Sequence, residues 1–175
     1  NAGRIPGAYH GAEGGRVVLN AASIRNEADG RATLRHEILG HFGINTFKSA
    51  DKRLVLDAIL KTKNDPKLRE IWKQVEENYS DKSESIKAEE VFAHAAELDR
   101  HERKARSGRR ILPASIIHAF QLALRRAGLV KGPMKVSELF NAIDAVSDGI
   151  RSGRRKQQIF PKTDQDQFRR DSHPQ

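Results

Sequence analysis

Apolar positions follow a helical period along most of the chain and a strand period in one short stretch. Residues 16–20 (RVVLN) are β-branched or aliphatic at their centre, follow a glycine pair, and predict a strand. Residues 1–15 are rich in glycine and alanine without periodicity, and we interpret them as an irregular arm. The whole pattern predicts an α+β fold, mostly α, with a small sheet edge and five or six helices.

The first predicted helix carries the most distinctive side chains. Apolar residues four apart predict a helix over residues 31–42 that ends at Gly43, with capping residues at 26–30 in front of it. This helix contains HEILGH, residues 36–41, which brings two imidazoles and a carboxylate within six residues.

Five more amphipathic segments follow, and several begin at a proline or a capping residue. Between the third and the fourth of them, residues 101–110 are basic and are interpreted as a helix end and loop. The expected helices cover about residues 51–61, 66–79 and 113–127. Another helix is expected to open at a capping box, Asp81 to Glu84, and to carry residues 87–97, and Ser137 is the expected cap of the last helix. The residues expected to face the core in the last two helices are Ile116, Ile117, Phe120, Leu124, Leu139, Phe140, Ile143 and Val146.

Composition bounds the class of protein. Apolar residues make up 37% of the 175 residues, which is typical of a globular domain with polar ends. There is no cysteine, so any metal must be bound by histidine, aspartate or glutamate. No apolar run is long enough to cross a membrane, and no signal peptide is recognisable. We expect one domain over residues 1–150 and a basic tail or linker over 151–175, in a chain that is a fragment of a larger protein or a processed one.

The net charge of +9 is unevenly distributed. Residues 1–100 hold 16 basic and 16 acidic side chains, whereas residues 101–175 hold 16 basic and 7 acidic ones. This asymmetry favours either a nucleic-acid contact through the C-terminal part or a solvated face and tail. Aromatic residues do not alternate with the basic ones, as they do where bases stack on a protein.

The residue types of HEILGH are those that bind and use a catalytic zinc ion. The better-known zinc-protease motif spaces its histidines four apart, on one helix face. Here His36 and His41 are five apart, and on an α-helix such positions differ by about 140°, too far to share one ion. A π-type turn closes five residues instead of four, so we predict a bulge near Leu39 and Gly40. The alternative is an ordinary helix with two unrelated histidines.

A catalytic zinc ion usually has three protein ligands, so a third must come from elsewhere. Segment 87–97 (KAEEVFAHAAE) has an alanine-rich face that allows two helices to approach closely. Glu90 is the predicted third ligand, because Ala93 leaves space beside its carboxylate. Glu89 is the other candidate, or it orients a zinc-bound histidine. His94 could assist at the site or face the solvent.

Three further groups have both a functional and an ordinary interpretation. Tyr79 is a candidate donor to a tetrahedral intermediate, or a structural tyrosine. Val17, Val18 and Leu19 on the predicted strand could pair with an extended substrate, or form an ordinary core strand. His10 is a candidate metal ligand, or a solvated loop residue.

Both motifs resemble those of one known family. HEILGH is similar to the HELLGH of the dipeptidyl-peptidase III family, whose histidines are also five apart, and KAEEVFAHAAE resembles that family's downstream Glu-Glu-x-x-Ala helix. The resemblance implies zinc ligands at His36, His41 and Glu90 and a general base at Glu37. It covers only these two motifs. Because the chain is too short for that family's two-lobed fold, release of dipeptides is not implied.

Over about residues 10–150 the chain resembles the zincin-like metallopeptidase domains of large polyvalent proteins of phages and conjugative elements. The stretches GGRVVLNAASI, ATLRHEILGHFGI, SIIHAFQLALRRAGL and SELFNAI are similar to their opening strand, motif helix and closing helices. This resemblance implies a zincin-like domain in the cytoplasm of a bacterial or recipient cell, arriving with a mobile genetic element.

We therefore expect zinc-dependent hydrolysis of peptide bonds in a protein or peptide substrate. Zn²⁺ bound by His36, His41 and Glu90 would polarise the scissile carbonyl and lower the pKa of water, and Glu37 would act as general base. Two alternatives remain open. One is a catalytically inactive zincin-fold binding module, whose zinc is closed off by a fourth ligand such as His94 or His10. The other is a basic nucleic-acid-binding domain with incidental histidines.

Overall fold

The computed structural model describes residues 6–11, 16–107 and 112–157, and in these ranges the protein is mostly helical with a two-stranded sheet. This confirms the α+β class with a dominant α content. The described part contains seven α-helices rather than five or six, because residues 101–107, which were expected to belong to a helix end and loop, lie in α5, while residues 108–110 of that stretch lie outside the described residues. The elements are β1 (Gly7–His10), β2 (Arg16–Leu19), α1 (Glu27–Leu34), a π segment (Arg35–Phe42), α2 (Ser49–Leu60), α3 (Arg69–Asn78), α4 (Glu84–Glu97), α5 (Arg100–Ser107), α6 (Ala114–Arg126) and α7 (Val136–Arg151).

The sheet is an antiparallel pair in which Gly7 lies opposite Leu19 and His10 opposite Arg16. The predicted strand is confirmed as β2, but the expectation of an irregular arm is wrong for β1. Pairing with β2 provides backbone hydrogen bonds for β1. Tyr9 of β1 packs edge-on against Phe42, with ring centres 6.0 Å apart. These tertiary contacts outweigh its weak strand propensity. Residues 1–5 and 12–15 of the expected arm lie outside the described residues.

The motif helix begins earlier than predicted and changes type along its length. The side chain of Asn26 accepts a hydrogen bond from the backbone N–H of Asp29 at 2.9 Å, so α1 begins at Glu27 rather than near residue 31. It continues directly into the π segment, and Gly43 is the C-terminal cap. The predicted bulge is confirmed, but it extends over eight residues instead of one turn near Gly40.

Gly40 permits a close approach between the π segment and α4. A Cβ atom on Gly40 would lie 2.6 Å from both Cα and Cβ of Ala93. We expected Ala93 to leave space beside Glu90, but in the structure it is a fully buried contact point for Gly40. The small side chains at this contact bring the histidines of one element next to the carboxylates of the other.

Helix α4 is central to the core. It packs against the π segment, α2, α3 and α7, and the buried face includes most of its length. The predicted apolar residues of α7 are buried, as are the aromatic residues Trp72 and Phe92. The largest side chains with almost no exposed surface are Phe92, Phe140, Ile44, Ile59, Leu68, Leu139, Ile143, Val55, Val75, Val91 and Val146.

The predicted core face of α6 is wrong for two of its four residues, and the other two, Ile117 and Leu124, are only half-buried. Ile116 is 54% exposed and Phe120 is 64% exposed. Its buried residues are instead Ala114, His118 and Arg125. Arg125 can be buried because it pairs with Glu138 on α7 at 3.0 Å. An apolar period alone therefore assigned the wrong side of α6 to the core.

Several boundaries also differ from the expected ones. Helix α3 begins at Arg69 instead of residue 66, because turns occupy the residues just before it. Ser83, rather than Asp81, caps α4 by accepting from the backbone N–H of Ile86 at 3.4 Å. Helix α7 already begins at Val136, so Ser137 lies inside it.

The division at residue 150 stays a prediction, and residues 158–175 lie outside the described part. In the described residues beyond 150, Arg155 donates to the hydroxyl of Thr46 at 3.1 Å and Gln157 donates to the carbonyl of Gly11 at 2.5 Å. Among the described residues, no helix is both long enough and apolar enough to span a membrane.

Candidate metal centre

The π segment places its two histidines side by side. Nε2 of His36 lies 3.2 Å from Nε2 of His41, and the ring centres are 4.9 Å apart. Five residues close one π turn, so this spacing puts both imidazoles on the side that faces α4. The geometry expected from the five-residue spacing is therefore present.

Helix α4 brings the carboxylate of Glu90 to the same point. Its Oε2 lies 3.6 Å from Nε2 of His36, and its Oε1 lies 3.6 Å from Nε2 of His41. Ligand atoms of these three residues all lie within 4.8 Å of one another. Of the two candidate glutamates, Glu90 is the one directed at both Nε2 atoms.

The outer nitrogen of each histidine faces a different carboxylate. Nδ1 of His36 is 2.9 Å from Oε1 of Glu97, and Nδ1 of His41 is 3.4 Å from Oε1 of Glu89. A carboxylate that accepts from Nδ1–H holds the imidazole in the tautomer whose Nε2 lone pair is free. This is the arrangement that metal-binding histidines usually have, and Glu89 has the position that the orienting role considered above requires, while the role itself stays a prediction.

Electrostatics at the centre favour a cation. Burial would lower the pKa of His36, but the neighbouring Glu90 and Glu97 raise it to about 10. Burial would raise the pKa of Glu90, but His36 and His41 lower it instead. Oε2 of Glu90 is buried without a hydrogen-bond partner among the described residues. Without a metal, protonated imidazoles supply the positive charge that these carboxylates favour. A metal ion bound to the same nitrogens would supply that charge instead, and the imidazoles would then be neutral.

Glu37 lies between the histidines and β1. It is 5% exposed, and its Oε2 is buried without a hydrogen-bond partner in the described part of the chain. A Cβ on Gly7 would lie 3.2 Å from Cγ of Glu37, so β1 passes directly beside this side chain. Burial raises the pKa of Glu37, and the charges of His41 and His36 oppose that shift. A carboxylate whose pKa is moved toward neutrality is suited to accept a proton.

His94 and Tyr79 also lie at this centre. Nδ1 of His94 is 2.6 Å from Oε1 of Glu97, the oxygen that also faces His36. His36, His94 and Glu97 form a second group with donor atoms close enough to bind a metal. The pKa of Tyr79 is raised by burial and then by the charge of and a hydrogen bond with Glu90. The roles expected for both residues stay predictions.

The other candidate residues lie farther from the histidines. Val17, Val18 and Leu19 are on β2, and it is β1 that contacts the π segment. Val18 and Leu19 are exposed, so the alternative of an ordinary core strand does not fit them. The substrate-pairing role stays a prediction. His10, at the end of β1, is exposed and belongs to neither group of potential metal ligands.

The sequence reasoning missed two charged residues at this centre. Glu97 follows Glu90 by seven residues, which places both on one face of α4, and this spacing could have identified it. Lys52, on α2, pairs with Glu89 at 2.8 Å. No local pattern around Lys52 indicates that contact, because it arises only when α2 packs against α4.

The donor set fits zinc. Two nitrogens that each lie about 2.0–2.1 Å from a tetrahedral zinc ion are separated by about 3.3 Å. The observed separation between the two Nε2 atoms is 3.2 Å, and each carboxylate oxygen of Glu90 is 3.6 Å from the nearer nitrogen. Two histidines and one glutamate are a known ligand set of catalytic zinc, and a carboxylate behind each histidine completes the pattern.

Comparison with known proteins gives one named relative. The chain is 32% identical over 161 residues to the DNA primase TraC of Escherichia coli, in an alignment that covers 91% of this chain and 11% of that protein. The chain thus spans about a ninth of the length of this relative. No protein-family model matches the chain, and no solved structure matches it.

This relative corrects one expectation. The comparison contradicts the expected classification as a hydrolase, protease and metalloprotease. The similar protein is named for DNA priming, which is a different reaction. Of the expected descriptions, only the link to a mobile genetic element is compatible with it. The relative's name is that of an enzyme, and it leaves the metal centre itself untested.

Proposed function

We propose that the π segment and α4 form a zinc centre in a zincin-like domain. Nε2 of His36, Nε2 of His41 and the carboxylate of Glu90 are the proposed ligands. The observation that carries this proposal is the convergence of these donors within 4.8 Å. The hydrogen-bond geometry supports it, because both Nδ1 atoms face carboxylates and both Nε2 atoms face the common point.

His36, His41 and Glu90 would hold the zinc ion, which when bound would supply Lewis-acid chemistry and a water molecule whose pKa is lowered from 15.7 toward about 7. Glu37 is the residue of this chain that would accept the proton, since its buried carboxylate lies beside both histidines. Glu97 and Glu89 would hold the histidine tautomers, and β1 would shield Glu37 from solvent on one side. The two motifs predict hydrolysis of a peptide bond at this site. That reaction stays an untested prediction.

Metal content tests the zinc centre. We expect elemental analysis of the purified wild-type protein to give about one zinc ion per chain, and His41→Ala to give almost none. His118→Phe is the matched control, because His118 is a buried histidine outside the centre, 5% exposed. If the wild-type protein contained no zinc after reloading, or if His41→Ala retained it fully, the proposed ligands would be wrong.

Glu37→Gln separates metal binding from proton transfer. The variant should keep the zinc content of the wild type, because Glu37 is not a proposed ligand. Any metal-dependent turnover of a peptide-library substrate should fall by about 10²–10⁴-fold, as expected for loss of a general base. Zinc without turnover in the wild type would favour the binding-module alternative, and equal turnover in the variant would exclude Glu37 as the base.

DNA contact is a second candidate, favoured by the name of the similar protein and by the basic excess of residues 101–175. Two of the arginines that contribute to this excess are buried in ion pairs, Arg103 with Asp144 and Arg125 with Glu138, and cannot neutralise phosphates in this arrangement. A steep decrease of DNA affinity with salt in the full chain would support the contact. Retention of the same affinity after His41→Ala would show that it is independent of the metal centre.

A further inference from the structure

A buried lysine lies behind the carboxylate that faces His41. Lys52 is 7% exposed, and its Nζ lies 2.8 Å from Oε2 of Glu89 and 2.8 Å from Oδ1 of Asn45. A buried ammonium group is costly unless its partners are close and well placed. Of these two contacts, the one with Glu89 pairs the ammonium group with an anion, and the one with Asn45 is to a neutral amide.

The contacts of Lys52 lead back to His41 by two routes. Through Glu89, the other carboxylate oxygen reaches Nδ1 of His41 at 3.4 Å. Through Asn45, the side-chain amide donates to the backbone carbonyl of His41 at 2.8 Å. Lys52 therefore links α2 to both the side chain and the main chain of one proposed zinc ligand.

The second histidine has no equivalent arrangement in the described contacts. Glu97, which faces His36, is shared with His94 and has a side chain that is 36% exposed. Glu89 has a side chain that is 12% exposed and is paired with a lysine.

We propose that Lys52 is a positioning residue of the zinc centre, which holds the carboxylate of Glu89 in place so that His41 presents Nε2 to the metal. This inference rests on the proposed zinc centre. Removing the ammonium group removes the contact that fixes Oε2 of Glu89, so the other carboxylate oxygen is held less firmly against Nδ1 of His41. The imidazole of His41 is then oriented less firmly, and zinc binds more weakly.

The test is the zinc dissociation constant, measured by competition with a chromophoric chelator. We expect Lys52→Met to weaken zinc binding by about 10–100-fold, the usual range for loss of a residue behind a metal ligand. Lys87→Met is the matched control, because Lys87 is also 7% exposed, lies on α4 itself, and pairs with Glu76 at 2.8 Å. Its zinc affinity should equal that of the wild type.

A double variant shows whether Lys52 acts through Glu89. In the Glu89→Gln background, Lys52→Met should weaken zinc binding by much less than it does in the wild type. The visible absorption spectrum of the cobalt(II)-loaded protein should change in Lys52→Met and stay constant in Lys87→Met, because it reports on ligand geometry. If Lys52→Met does not fold, Asn45→Ala removes one anchor of Lys52 and should weaken zinc binding to a smaller extent.

The outcomes separate the two proposals. A wild-type protein without zinc would overturn both the zinc centre and the role of Lys52. A wild-type protein with zinc, together with unchanged affinity in Lys52→Met, or in Asn45→Ala where that variant replaces it, would overturn only the role of Lys52. An equal loss in Lys52→Met and Lys87→Met would also overturn it, because the effect would then come from general stability.

Discussion

The metal centre and the α6–α7 interface each contain a histidine that is largely shielded from solvent. The pKa values of these two histidines shift in opposite directions. His118, on α6, has its pKa lowered to about 4 by burial and by the charge of Arg155. His36 is half-buried, yet Glu90 and Glu97 raise its pKa to about 10. At neutral pH, His118 is a neutral packing residue against Phe47, with ring centres 5.4 Å apart. His36 belongs to a cluster whose carboxylates require a cation.

The buried charges of the two regions differ in the same way. Arg125 and Glu138 form a closed pair at 3.0 Å, and Arg125 also donates to the carbonyl of Gly132 at 3.1 Å. At the metal centre, neither oxygen of Glu90 lies closer than 3.6 Å to the nearest histidine nitrogen. Arg125 and Glu138 neutralise each other, so no further partner is needed to explain why they are buried. The side chains that converge at the metal centre are better explained by a bound ligand. The comparison thus separates structural charge from charge arranged for binding.

The largest effect that tests this distinction is expected from Arg125→Met. The variant leaves Glu138 buried without its cation, so the free energy of unfolding should fall by about 3–5 kcal/mol. Its zinc content should remain that of the wild type, because the closed pair has no part in the metal centre. Chemical denaturation and elemental analysis measure the two quantities.

Arg106→Met is the control for Arg125→Met, since Arg106 is an exposed residue of α5. It should change the free energy of unfolding by less than about 0.5 kcal/mol. Loss of zinc in folded Arg125→Met would contradict the separation of the two regions.

The centre could be predicted from sequence to the extent that its geometry is local. His36, Glu37 and His41 lie on one continuous segment, and a shared ion at the five-residue spacing of the histidines required a π turn, which the structure contains. The prediction of Glu90 needed a further step, because it was inferred from small residues on a second helix. Small residues do allow the close approach of the two elements. The contact is nevertheless between Gly40 and Ala93, rather than around Glu90 itself.

The parts that could not be predicted depend on long-range contacts. Strand β1 has little strand propensity and forms because it packs between β2 and the π segment. Lys52 reaches Glu89 only through the packing of α2 on α4. On α6, the apolar period assigned Phe120 to the core, whereas a buried ion pair of Arg125 decides which side faces α7. Periodicity does not contain that information.

A smaller effect is expected from the acid dependence of stability through His118. Its pKa is lower in the folded protein, about 4, than the ordinary value of 6.5, so the unfolded chain binds the proton more readily between these values. The contribution of His118 to stability is therefore complete above pH 6.5 and is lost as the pH falls toward 4. His118→Phe removes this dependence. The difference in unfolding free energy between wild type and variant should shift by about 3 kcal/mol, against the wild type, between pH 7 and pH 4.

Urea denaturation of metal-free samples at several pH values measures that shift, and using metal-free protein keeps zinc release from contributing. An unchanged difference across the range would show that His118 can be protonated inside the folded protein. The contrast with His36 would then be lost, because neither histidine would be a neutral packing residue.

The smallest effect is expected on the outer face of α6, where Phe120→Ser tests the corrected orientation of this helix. Phe120 is 64% exposed, so its replacement removes little buried surface and should change the free energy of unfolding by about 0.5 kcal/mol or less. Phe140→Ser on α7 is the contrasting variant, because Phe140 is 2% exposed and its loss should cost about 3–5 kcal/mol. Equal destabilisation by the two variants would show that α6 buries the apolar face that its periodicity indicated. The assignment of His118 and Arg125 to the α6–α7 interface would then have to be revised, and with it the contrast between a closed ion pair and an arranged metal centre.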